Sequence, residues 1–170
     1  MDQTALQDTI DHVAITRLQS AYADIVNRRA WSELAPIFLP DTQVSIDRRA
    51  GDPLVLDGPG AVGDFIGSSI AHMDFFEFVI LNVTVNLRRG GDADRAAARM
   101  YMCELRHERD NGRRTTAFGV YHDEYARVDG AWYVAGRTYH SIARTDIDRE
   151  DRDLNVFGLP ERMTTFVNLR

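Results

Sequence analysis

Cysteine is almost absent from this sequence: Cys103 is the only one, which excludes an internal disulfide framework and suits a reducing compartment. No apolar run reaches the length of a membrane span. The opening Met1-Asp2-Gln3-Thr4 lacks the basic segment and apolar stretch of a secretory leader, so a cytoplasmic protein without a membrane partner is expected. Positive charge is also in deficit, with 20 Lys+Arg against 26 Asp+Glu and a formal charge of −6. That balance argues against a nucleic-acid partner or an anionic membrane surface. The basic doublets Arg48-Arg49, Arg88-Arg89 and Arg113-Arg114 fall in turns or strand ends and read as solvated charge. His12, His72, His107, His122 and His140 show no metal-ligand spacing. Gly58-Pro59-Gly60 lacks the Lys-Ser/Thr that completes a phosphate loop, and no serine nucleophile elbow occurs. Neither a cofactor nor a metal is expected.

What is present is an ordinary globular composition, 44% hydrophobic and 27% charged over 170 residues, enough to bury one core. A single domain over 1–170 is expected, with a core over about 9–142, a charged linker at 144–153 and an apolar tail at 154–170. Apolar residues Ile10, Val13, Leu18, Tyr22, Ile25 and Val26 recur at three- and four-residue steps and predict a long amphipathic helix over 9–29, capped by Asp8 or Thr9. Shorter helices are predicted at Trp31–Phe38 and Ala61–Ala71. Strands are predicted at Gln43–Asp47, Pro53–Leu56 and Phe76–Leu87, the last with Val79, Leu81, Val83, Val85 and Leu87 alternating against Ile80, Asn82, Thr84 and Asn86.

The segment Arg99–His140 predicts three strands joined by hairpins centred on Asn111-Gly112 and Asp129-Gly130, dipeptides that accept the positive φ of two-residue primed turns. Two-residue turns would set Glu104 opposite Gly119 and Gly119 opposite His140, with Met102, Tyr121 and Thr138 in the adjacent row. Cross-strand partners share a sheet face, so a carboxylate and an imidazole are expected to flank a glycine that leaves space between them. The whole chain reads as an α+β domain with helices on one sheet face. The other face also carries Tyr101, Cys103, Leu105, Phe118, Val120, Tyr133, Ala135 and Tyr139. A sheet apolar on both faces with helical cover for one predicts a homo-oligomer.

The runs Leu18–Tyr22-Ala23-Asp24, Asn27, Trp31-Ser32-Glu33-Leu34, Phe38 and Pro40-Asp41, with the later Phe118–Tyr125 and Asp129–Val134, resemble SnoaL-like proteins of the nuclear transport factor 2-like superfamily over roughly 9–142. The resemblance implies a cone, a curved antiparallel sheet wrapped around the long N-terminal helix with a pocket at its open end. It also implies oligomers, a trimer favoured over a dimer. That family includes polyketide cyclases, scytalone dehydratase, a hexachlorocyclohexane dehydrochlorinase and proteins without known activity. The dehydratase and dehydrochlorinase use an Asp–His pair, and the matching positions here hold Asn27 and Phe78. Asn27 is isosteric with the aspartate, the exchange an engineered knock-out would also leave. A second dehydratase histidine falls on Glu104, and its serine and asparagine partners fall on Gly119 and Tyr121.

The candidate catalytic residues are therefore Glu104, His140 and Asn27. A carboxylate beside an imidazole orients the ring and raises its basicity, which suits acid–base work near neutral pH. The plainer alternative pairs Glu104 with Arg106 or Arg137, leaves His140 at the sheet rim and makes Asn27 a helix C-cap. Tyr22, Phe78, Met102, Gly119 and Tyr121 are the candidate ligand-binding residues, the two phenols as donors to a carbonyl or hydroxyl. A cofactor-free lyase or isomerase acting on a small apolar oxygenated molecule is the functional expectation. A passive small-molecule-binding module and a structural small subunit of a larger oxygenase are the rivals.

Overall fold

The computed structural model describes residues 2–145 and 154–160. Residues 146–153 of the predicted linker, and Met163, Phe166 and Val167 of the predicted tail, lie outside the described residues. The elements in order are helix α1 (Gln3–Arg28), a 3-10 turn (Trp31–Leu34), strands β1 (Phe38–Ile46) and β2 (Leu54–Asp57), helix α2 (Gly58–Ile70), strand β3 (Met73–Leu87), a 3-10 turn (Arg89–Gly91), and strands β4 (Arg95–Glu108), β5 (Arg114–Val128), β6 (Ala131–Thr145) and β7 (Leu154–Val156). The strands form one curved, unclosed sheet in the order β2-β1-β6-β5-β4-β3, with β7 added to β6. All neighbours are antiparallel except β1 and β6. The result is the expected α+β cone, with α1 packed on β3 and β6 and α2 on β1.

Helix α1 starts earlier than its apolar stripe predicts, because Asp2 caps Thr4 N–H. Its inward side also differs. Ile10 and Val13 are exposed, while Asp11, Ile15, Gln19, Tyr22, Ile25 and Val26 are buried. Two polar residues point inward and find partners there: Asp11 accepts from Arg127 Nη1 (2.8 Å) and Trp132 Nε1 (3.0 Å), and the Gln19 amide nitrogen donates to the Tyr125 hydroxyl (3.1 Å), while its Oε1 has no partner among the described residues. Pro40-Asp41 does not end the second segment as a helix would require; Phe38 already belongs to β1, and Pro40 lies in the stretch of β1 between its Phe38 and Gln43 pairings to β6. The basic doublets are less free than predicted. Arg88 holds Asp8 of α1 at 2.8 Å and Arg49 holds Asp47 at 3.0 Å.

The two hairpins differ from one another. Asp129 (φ 50°) and Gly130 (φ 82°) form the predicted two-residue primed turn, with Val128 opposite Ala131. The Asn111-Gly112 loop is longer: Glu108 N–H bonds Arg113 O at 2.9 Å, and the register places Met102 opposite Gly119 and Glu104 opposite Ala117. A slip of two residues leaves every side chain on its predicted face. Bulges do not. Extra residues at Leu81, Ala135 and Ile142 interrupt the ladders, and each reverses the alternation beyond it. In β3, Phe76, Phe78 and Ile80 therefore face inward together with Val83, Val85 and Leu87, and Leu81 is exposed. The Ala135 bulge has a matching break in β1, where the buried Thr42 hydroxyl donates to Val134 O at 2.8 Å.

Beyond the Ala135 bulge, Arg137 turns into the core. It lies opposite Asp123 and forms a two-pronged ion pair with it, both N–O distances 2.7 Å, with the two side chains essentially inaccessible. Tyr125 donates to the same carboxylate at 2.8 Å. Removing one partner of such a pair strands a buried charge. Asp123→Ala is expected to lower unfolding stability by about 3–5 kcal/mol, read from urea denaturation; a loss below about 1 kcal/mol would show that Arg137 finds other partners.

Candidate active site

A cavity of about 450 Å³ lies between the concave sheet face, α1, α2 and the turn after β1, a size usual for small-molecule sites. Helix α2 closes one side with Val62, Phe65, Ile66 and Ile70, and β3 contributes Phe76 and Phe78. Buried Tyr22 and Tyr121 form the floor, and the exposed Arg48, Arg49, Ser69 and Arg144 belong to the mouth.

Four aromatic rings build the floor. Tyr22 meets Phe78 and Tyr121 edge-on at centroid distances of 5.5 and 6.1 Å, Phe78 stacks on Tyr121 at 5.9 Å, and Tyr139 leans on Tyr121 at 5.3 Å. Arg137 touches the same platform, its guanidinium carbon 4.1 Å from the Tyr22 centroid and 4.3 Å from that of Tyr121. Burial pushes the Tyr22 hydroxyl above the usual phenol range; Arg137 and a hydrogen bond with Tyr121 pull it partly back. Tyr121 is pushed well up, first by burial and then by Tyr22. Tyr139 is pushed up to about 12 by burial and the Glu104 charge, against a hydrogen bond with Ser141. All three phenols thus stay protonated at neutral pH and are donors.

Glu104 lies on the cavity wall, partly buried and ion-paired with Arg106 two residues along the same strand. It sits in one cross-strand row running Phe78, Glu104, Ala117, Arg144. Its charge reaches all three phenols, raising each. The site therefore presents the Glu104 carboxylate and three neutral phenols, two of them hydrogen-bonded to one another, inside largely apolar walls, with Asp47 at the edge. That set can take a proton from carbon while hydrogen-bonding an adjacent oxygen.

The predicted residues fall into three groups. Tyr22, Phe78, Glu104 and Tyr121 line the cavity. Met102 and Gly119 lie on the same sheet face but behind its surface: Met102 is fully buried, and a Cβ on Gly119 would run into the Tyr139 ring. The glycine serves an aromatic side chain instead of leaving space for substrate. His140 and Asn27 are corrections. The Ala135 bulge sets His140 opposite Val120 and turns it to the outer face, its ring centroid 5.6 Å from that of His122 and its Nδ1 3.6 Å from Asp47. Burial, with the neighbouring His140 and Arg99, holds His122 below the usual imidazole range. Asn27 is neither a cap nor a cavity residue. Arg29, at φ 58°, caps α1, while Asn27 Nδ2 donates to Phe78 O (3.0 Å) and its Oδ1 accepts from Phe78 N–H (2.6 Å).

Sequence reasoning missed Tyr139, Ser141, Arg106 and Arg144 as cavity residues, and Asp47 and Arg48 at its edge. One usable signal existed. A glycine inside a strand marks a close approach, and an aromatic on the neighbouring strand was the group to seek.

A family model described as a SnoaL-like domain matches residues 7–138. Among solved structures, a hexachlorocyclohexane dehydrochlorinase (LinA) type 2 is similar at TM-score 0.71 and 22% identity, over 83% of this chain and 91% of that one. A scytalone dehydratase candidate from Novosphingobium aromaticivorans DSM 12444 gives TM-score 0.73 at 19% identity, over 92% and 99%. Rv3472, a protein of unknown function from Mycobacterium tuberculosis, gives 0.66 at 18% identity, over 81% and 75%. At these identities the likeness is one of fold. No curated protein sequence matches.

Asn27→Asp keeps the acceptor for Phe78 N–H but points a carboxylate oxygen at the Phe78 carbonyl. The folded-state carboxyl is then raised above its unfolded value, because only the protonated form donates there. Its stabilising contribution is present below about pH 4 and is lost as pH rises through the raised folded value. At neutral pH the variant is expected to be about 1–3 kcal/mol less stable than the parent, measured as urea midpoints between pH 4 and 8. A pH-independent difference would show that the side chain has left Phe78.

Proposed function

Because the chain belongs to the SnoaL-like domain family, we propose that it is a cofactor-independent lyase or isomerase acting by general acid–base chemistry on a small, largely apolar, oxygenated cyclic molecule. One observation carries this proposal: Glu104 shares a mostly apolar cavity with three phenols held neutral. The Glu104 carboxylate removes a proton from the carbon next to a carbonyl. Tyr22, Tyr121 and Tyr139 donate hydrogen bonds to the oxygen on which charge develops, an arrangement worth most where water is excluded. In an elimination the hydroxyl one carbon further on then leaves as water, the C–O electron pair going with it and the proton returning from Glu104. In an isomerisation the same proton is returned to a different carbon. No lysine occurs in the chain, so imine formation on a lysine takes no part.

The neighbours include a dehydrochlorinase and a dehydratase candidate, which supports a lyase, although one scaffold hosts many chemistries. The pairing of Glu104 with Arg106 favours a second reading, a passive binding module. Glu104→Gln separates the two. Against hydroxylated cyclic ketones and lactones followed by mass spectrometry, the enzyme reading expects turnover by the parent and a fall in kcat/KM of about 10²–10⁴ in the variant. Binding without turnover by either form would give the passive module.

The homo-oligomer expected from the sequence is part of the same proposal. The outer sheet face keeps Phe75, Leu81 and Leu105 exposed beside Val79, Tyr101 and Phe118, and a second copy is the proposed cover. Light scattering is expected to give a multiple of the chain mass of 19.3 kDa; the single-chain mass at micromolar concentration would remove this part.

A further inference from the structure

The cavity mouth is charged in a way that neither the apolar walls nor the acidic chain as a whole explains. Four arginines reach the lining: Arg48, Arg49, Arg106 and Arg144. Two carboxylates share it, and both are engaged. Asp47 accepts from Arg49 through the backbone N–H (2.8 Å) and the guanidinium (3.0 Å). Burial alone would raise the Asp47 carboxyl, but these bonds outweigh it and hold it low. Glu104 is paired with Arg106. Among the described residues that leaves Arg48 and Arg144 without a carboxylate partner.

Their surroundings place them. Phe157, just after β7, lies between two guanidiniums, with Arg49 4.7 Å and Arg144 5.4 Å from its ring centroid. Arg49 also donates to the Phe157 carbonyl at 3.0 Å. A guanidinium stacked on a ring face keeps its edge donors free. The Ile142 bulge turns Arg144 to the concave face in the row of Glu104, two strands away, roughly 10 Å at the usual strand spacing. A molecule reaching from Glu104 to the mouth thus meets an uncompensated guanidinium edge about one ring and a short arm away.

We propose that this mouth is a carboxylate-binding subsite, so that the substrate class is a cyclic or aromatic molecule bearing a carboxylate arm. The ring lies on the phenol floor, and the arm ends on Arg144 and Arg48. All 20 basic residues of the chain are arginine, and a guanidinium fork matches a carboxylate in two-pronged geometry. The local excess of positive charge in a chain of net charge −6 would draw an anion to the opening. This inference rests on the reading of the cavity as a substrate pocket and names the substrate's second recognition element.

The test is calorimetric binding of 2-naphthoate, 2-naphthylacetate and 4-(2-naphthyl)butanoate, each against its methyl ester, to the full chain. At low salt at least one acid is expected to bind about tenfold more tightly than its ester, a gap that narrows at high salt because these charges are exposed. Arg48→Gln, in an exposed turn, should remove part of the gap; Arg48→Gln with Arg144→Gln should make acid and ester equal. Equal affinity of acids and esters for the parent chain overturns the subsite while leaving the pocket and Glu104 untouched. A gap that survives in the double variant overturns the assignment to these arginines. Failure of every acid and ester to bind overturns the pocket reading itself, a different result from equal binding.

Discussion

The fold turns on one buried ion pair. Arg137 and Asp123 face each other across β6 and β5 with no access to solvent, and desolvating two charges is costly unless geometry and further hydrogen bonds compensate. Here they do. Both nitrogen–oxygen contacts are 2.7 Å, and Tyr125 supplies another donor and passes the connection to Gln19 of α1. The guanidinium spends its faces on Tyr22 and Tyr121. A well-packed apolar pair can equal such an arrangement in stability, so its distinctive contribution is positional. It fixes two phenols, one from the helix and one from the sheet, against a common cation, and those phenols are the floor of the cavity.

That pair exists only because β6 is irregular. Without the extra residue at Ala135, position 137 would point outward and position 140 inward, the arrangement that simple alternation predicts. The same irregularity thus removes a histidine from the cavity and brings an arginine under it. Two-residue periodicity is legible in a sequence; the residue at which it skips is not, because a bulge is set by what the neighbouring strand can accept. Thr42 meets the Val134 carbonyl in that irregular stretch, and nothing in the residues around Thr42 or Ala135 marks the meeting. The longer Asn111-Gly112 loop did less harm, since its two-residue slip preserved each face.

The helix-and-sheet class, the long first helix, the Asp129-Gly130 turn and the placement of Tyr22, Phe78, Glu104 and Tyr121 around one cavity were legible from periodicity, turn chemistry and family resemblance. What was not legible depends on partners and bulges that a local window of sequence does not contain. Asp11 and Gln19 sit inward on α1, where Arg127 and Trp132 meet the Asp11 carboxylate and Tyr125 meets the Gln19 amide nitrogen, each more than a hundred residues away. Arg144 belongs to the cavity because of the Ile142 bulge, and Arg49 because Asp47 and Phe157 hold it. A sequence window sees solvated charge at each of these positions.

The two departures from the family's Asp–His pair are one structural change. Asn27 spends both polar atoms on the Phe78 backbone, and the Phe78 ring stacks on Tyr121. The side chains at 27 and 78 thus form a clasp and a wall that support a phenol. An amide serves this clasp and a carboxylate does not, since one of the two bonds needs a donor. Glu104, the cross-strand partner of Phe78, is the carboxylate beside this unit on the cavity wall.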